Sequence, residues 1–173
     1  MPMDERREQL VESLEQSLVR MVLLHEQLLD LLGRKREALR HGQERLVVEL
    51  GMLENEKLRE ITQLEKRRAE LVGRLTLEVL PGAAEPMRLG ELAERMAEPE
   101  RGRLLVLRQQ LLQRMQQVRE ASGTIRRATE MLMKHVQGLV QTIGMQATGV
   151  CTYGGDGSPS QRTTTLRTIN MTA

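Results

Sequence analysis

The chain has 173 residues, 39% hydrophobic and 29% charged, and its 26 basic residues are interleaved with 24 acidic ones for a net charge of +2. This balance argues against wholesale disorder and against the clustered basic surface that a phosphate backbone requires, while a single cysteine excludes an intrachain disulfide and a multi-cysteine metal site. With one tyrosine and no phenylalanine or tryptophan, the apolar content is mostly Leu, Val and Met, which suits aliphatic seams between long helices better than a thick core built on rings.

From Asp4 to about Arg40 the apolar residues Leu10, Leu14, Leu18, Met21, Leu24, Leu28, Leu31 and Leu32 recur at helical spacing. That pattern predicts an amphipathic helix with a coiled-coil seam. Acidic Asp4 and Glu5 suit its N-terminus, and Arg34, Lys35, Arg36 and Arg40 suit its C-terminus. His41-Gly42 reads as the stop, because glycine adopts the left-handed cap without a Cβ clash. A second helix is predicted from about 43 to 80 on Leu46, Leu50, Leu53, Ile61, Leu64, Leu71, Val72 and Leu75, with a kink or frayed turn at Gly51. The short connection makes these two helices antiparallel neighbours.

Pro81-Gly82 breaks the pattern, and PGAAEPMRLGELAERMAEPE reads as a linker holding one short helix at about 89–97. Pro99 suits the first turn of a third long helix, predicted over 99–143 on the seam Leu104, Leu107, Leu111, Met115, Val118, Ile125, Thr129, Leu132, Val136, Leu139 and Ile143. From Gly144 the periodicity ends, and the remainder is rich in Gly, Ser and Thr. The expectation is an all-α, elongated antiparallel bundle of three long helices over 1–145, one short connecting helix, and a flexible tail over 146–173.

Residues that carry chemistry are few and scattered. His25, His41 and His135 have no partner at metal-ligand spacing, and His25 lies by the apolar stripe. Glu56 with Arg59 and Glu65 with Arg68 read as surface pairs, and Lys66-Arg67-Arg68 and Arg126-Arg127 as solvated helix faces. No phosphate-binding glycine loop is present, Asp156 is the only acidic residue of the Gly154–Gly157 turn, and Cys151 has no basic or histidine neighbour to lower its pKa. The expectation is a binding or structural protein, not an enzyme, with no cofactor, no metal and no nucleic-acid partner. The N-terminus MPMDERREQL is no signal peptide, and no apolar run approaches the roughly 18 residues of a membrane span, so a cytoplasmic location is expected.

One stretch is wider than a seam needs. Leu132, Met133, Val136, Leu139, Val140 and Ile143 spread beyond a single stripe, which reads either as core or as an adaptable, Met-bearing face for partner helices.

Three stretches follow one another in a telling order. The first is LLHEQLLDLLGRKREALRHGQERLVVELGMLENEKLREITQLEKRR, with its Glu56-Lys57 pair. The second is AEPERGRLLVLRQQLLQRMQQVREASGTIRRATEMLMKHVQGLV, with its Glu-Pro start, and the third is TYGGDG. Their order resembles the FlgN-like family of flagellar type III export chaperones over about residues 10–157. Where the family pattern carries asparagine, around Ala121-Ser122-Gly123, this chain has none. The resemblance implies a chaperone that binds C-terminal segments of the hook–filament junction proteins and delivers them to the export gate. It places client binding on the face from Leu132 to Ile143, and it makes Tyr153, the sole ring, the candidate contact with the gate or another partner. The other reading of Tyr153 is a plug packed on the end of the bundle. A coiled-coil scaffold or tether without a client is the alternative function, and a basic nucleic-acid regulator a third. Client identity and oligomeric state are left open by the sequence.

Overall fold

The computed structural model describes residues 3–147, with side chains over 5–144; the expectations for Cys151, Tyr153 and the rest of the tail beyond 147 lie outside the described residues. Four helices and no strand occur among them: α1 Met3–Arg40, α2 Glu44–Val79, α3 Leu89–Glu94 and α4 Glu100–Ala147. The all-α helical bundle expected from periodicity is the fold observed. By contact the chain divides into one compact unit over Met1–Arg126 and a second over Arg127–Ala173, with the boundary inside α4.

Within the first unit, ion pairs give the direction of each helix. Arg6 with Glu78, Arg20 with Glu60 and Lys35 with Glu54 join rising positions on α1 to falling positions on α2, so these two helices are antiparallel. Glu15 with Arg103 and Glu26 with Arg114 share one offset of 88 residues, so α1 and this part of α4 run parallel and in step.

The turn between α1 and α2 follows from Gly42. Its φ of +65° is the left-handed conformation open to glycine. Gln43 N–H donates to Ala38 O at 2.9 Å and Gly42 N–H to Leu39 O at 3.2 Å, the paired bonds of a Schellman cap. At the end of α2, Pro81 and Gly82 (φ +90°) occupy the two central positions of a β-turn closed by Ala83 N–H donating to Leu80 O at 3.1 Å, the residue order a type II turn demands.

Two expectations need correction. Gly51 does not interrupt α2, which continues through it from Glu44 to Val79; the tie of Lys35 Nζ to Glu54 Oε2 at 2.6 Å crosses the helix pair beside it. Gly144 does not end α4, which continues to Ala147; one helical glycine costs only about 1 kcal/mol against alanine.

The segment 81–99 does more than connect. Leu89, Leu92, Ala93 and Met96 are buried in the main apolar cluster with Leu14, Leu18 and Met21 of α1, Leu71, Val72 and Leu75 of α2, and Leu104 of α4. α3 ends at Glu94, short of the predicted Ala97, where Arg95 and Met96 N–H donate back to Leu92 and Ala93 in tighter turns. Thr76 secures the connection. It is buried, its hydroxyl donates to Val72 O at 2.7 Å, and the same oxygen accepts Met87 N–H at 3.0 Å.

Two smaller clusters continue along α1. Leu28 and Leu32 pack with Ile125 of α4, and Leu31 and Ala38 pack with Leu50 of α2. On α2, the Glu60 carboxylate accepts hydrogen bonds from Lys57 at 2.6 Å and from Arg20 at 3.3 Å. The Lys57 hydrogen bond, with Arg20 adding to it, holds the Glu60 carboxyl below the usual carboxylate range. A lowered folded-state pKa contributes stability above the unfolded value, and that contribution is lost as pH falls through the folded value. NMR titration of the Glu60 carboxyl should therefore give a midpoint below that of a model glutamate, and Lys57→Ala should raise it; an unchanged midpoint would dissociate the shift from Lys57.

Thr76→Val keeps the shape of the side chain and leaves Met87 N–H without its acceptor. Loss of about 1–3 kcal/mol in denaturant unfolding is expected, with Thr76→Ser retaining most of the stability. Equal stability of the valine variant and the wild type would show that the connection does not depend on this bond.

Candidate functional site

The described side chains offer little for catalysis. His25 is buried, and its Nδ1 donates to Met21 O at 2.7 Å, one turn back on α1. His41 and His135 are exposed and far apart in sequence. No group of three or more His, Cys, Asp or Glu residues that could hold a metal occurs among the described residues. No described helix is long and apolar enough to cross a membrane. Many acidic residues go into ion pairs, including the expected Glu65–Arg68 pair at 2.8 Å.

Two apolar surfaces among the described residues bear on partner binding. The first lies in the second unit, on the part of α4 that follows Arg126. Leu132, Met133, Val136, Leu139, Val140 and Ile143 are 50–64% exposed. These six residues are the face singled out from the sequence, and exposure distinguishes them from the core positions Leu104, Leu111 and Ile125 on the same helix, none above 7%. A half-exposed leucine is ordinary when single, whereas six apolar residues on one helix segment form a patch of the kind that marks an interaction site. Met131, 72% exposed, lies on the opposite side of the helix and is not part of this face.

The second surface has no counterpart among the sequence expectations. A groove of roughly 850 Å³ runs between α1 and α4 in the first unit, lined by Val19, Leu23, Val106 and Leu107, with Glu15 and Arg103 among its polar walls. Arg103 Nε donates to Glu15 Oε1 at 2.8 Å, and this bond raises the guanidinium pKa above its ordinary value. Val19 and Leu23 each sit one residue away from a stripe leucine, Leu18 and Leu24, and that adjacency is the signal in the sequence that points to the groove. Of its lining, Val19, Leu23 and Val106 are the exposed large hydrophobics, so its apolar area is smaller than that of the α4 face.

The family model described as FlgN protein matches residues 1–161. The chain belongs to the FlgN family. No curated protein and no solved structure matches it. FlgN-family membership assigns the general role of a flagellar export chaperone. In a chain of this family, exposed aliphatic surface is one kind of surface on which a partner can be held.

The exposure of these positions generates a prediction about folding. Leu139→Asp should leave helicity and melting nearly unchanged, because an exposed helix position registers mainly the propensity difference of a few tenths of a kcal/mol. Leu104→Asp, at a position with no exposure, should cost about 3 kcal/mol or more by burying an unpaired charge. Unfolding of both variants to the same extent would make the α4 face a core surface.

Proposed function

We propose that this chain binds the C-terminal segments of hook–filament junction proteins on the α4 face from Leu132 to Ile143 and delivers them to the flagellar type III export gate, acting in the cytoplasm without cofactor or metal. The observation that carries this reading is the exposure of Leu132, Met133, Val136, Leu139, Val140 and Ile143 on one helix segment of a FlgN-family chain. An amphipathic helix of the client would lay its apolar side against this face, and burying a Leu, Ile, Val or Met side chain contributes about 1.5–3 kcal/mol when complete. Met133 has an unbranched, adaptable side chain, which suits a chaperone with more than one client.

Tyr153 belongs to the proposal as the anchor for the gate or another partner. A tyrosine supplies large contact area and one hydroxyl at low entropic cost.

Capture of purified C-terminal segments of the junction proteins tests the proposal. Val136→Asp and Leu139→Asp should weaken binding by about thirtyfold or more, the effect of losing roughly 2 kcal/mol at an interface centre. Val106→Asp, in the α1–α4 groove, should leave binding intact. The reverse result would move the client to the groove, and failure to capture any junction protein would favour a scaffold without a client. For Tyr153→Ala, unchanged melting with weaker binding to gate or client is expected; a lower melting temperature with intact binding to both would make the ring a structural plug.

A further inference from the structure

The groove between α1 and α4 has two ends of different chemistry. Toward Leu23 its walls are apolar, with Val19, Leu23 and Val106 each 43–57% exposed. Toward the N-terminus of α1 it continues into a second depression of about 470 Å³, which shares Glu12, Glu15 and Arg103 with it. That end is lined by the carboxylates of Glu5, Glu8, Glu12, Glu15 and Glu100 against the one guanidinium of Arg103. Some of this charge has a local role. Glu15 is bonded to Arg103, and Glu100 is paired with Arg7 at 3.6 Å. Glu5 and Glu100 also stand in the first turns of their helices, where the dipole favours an acid. Glu8 and Glu12 lie beyond the first turn of α1, and neither is in an ion pair among the described residues. In a chain whose net charge is +2, this acidic end departs from the average surface.

The two walls run parallel and in step, with Glu15 beside Arg103 and Glu26 beside Arg114, so the groove keeps one direction from Glu8 to Leu23. At ~1.5 Å per residue that span is about 22 Å, the length of a helix of about four turns. The backbone groups of both walls are already bonded within their own helices, so no sheet edge is offered to an extended segment. A helix brings its own backbone bonds and needs only side-chain contact. The carboxylates repel phosphate, which disfavours nucleic acid and an anionic membrane surface as occupants. The complementary charge is basic.

We infer that this groove docks an amphipathic helix of another protein, which sets aliphatic side chains against Val19, Leu23 and Val106 and places lysine or arginine beside Glu8 and Glu12. The groove lies in the first unit and shares no residue with the face from Leu132 to Ile143. The inference therefore does not rest on the client reading, and it gives the chain a second surface for a different partner.

Fluorescence anisotropy of the intact chain with two synthetic probes is the test. One probe is a labelled, helix-forming peptide of about fifteen residues, with leucine at helical spacing over one half and arginine over the other. The second carries glutamate in place of each arginine. The arginine probe should bind at least about tenfold tighter than the glutamate probe, and the difference should shrink as salt rises, because the charges it meets are exposed. Val19→Gln and Val106→Gln should each weaken the arginine probe about tenfold with helicity unchanged. A double variant, Glu8→Lys with Glu12→Lys, should reverse the preference and favour the glutamate probe, a result that an unfolded chain would not give. Equal affinity for the two probes, no binding of either, or the wild-type preference in the double variant would overturn the inference. Three further results would overturn it by naming another occupant or another site. Loss of probe binding in Leu139→Asp would place the probe on the α4 face. A dimer in sedimentation that Val106→Gln dissolves would put a second copy in the groove. Tighter probe binding after Arg162→Glu and Arg167→Glu would seat the chain's own C-terminal segment there. Client capture by a chain that binds neither probe would refute this inference alone, and probe binding without client capture would refute the client reading alone.

Discussion

The structure depends on one continuous aliphatic stripe. Leu10, Leu14, Leu18, Met21, Leu24, Leu28, Leu31 and Leu32 of α1 are all buried, none more than 8% exposed. Each of the three apolar clusters contains residues of α1: Leu14 in the first, Leu28 in the second, Leu31 in the third. Without phenylalanine or tryptophan, the chain obtains its burial from many medium-sized side chains in series. Each contributes about 1.5–3 kcal/mol on complete burial, and the sum has to offset the conformational entropy of long ordered helices. The ion pairs set direction and offset more than stability, since exposed pairs contribute little.

Periodicity makes much of this legible. The α1 stripe, the glycine cap at Gly42, the antiparallel return of α2 and the Pro-Gly break all follow from local rules, and the structure has them. What periodicity does not report is whether anything faces a stripe. The seam predicted along α4 is one uninterrupted pattern in sequence, yet Leu104, Leu111 and Ile125 are buried while Leu132, Val136, Leu139 and Ile143 are exposed. The contribution of α3 is illegible for a related reason. Its Leu89, Leu92 and Ala93 stand close to Pro, Gly and Ala residues that read as linker, and a six-residue helix is too short to show a period. Thr76 escapes sequence reasoning because a hydroxyl that serves two backbone groups 4 and 11 residues away leaves no pattern.

One helix therefore carries two kinds of surface. Where α1 supplies leucines, α4 closes a core; after Arg126 its apolar residues are uncovered. The uncovered positions are aliphatic and half-exposed, which lets the helix remain folded without a partner and still gain from acquiring one. A ring at these positions would expose more apolar area in the free state, with a greater tendency to associate without selection.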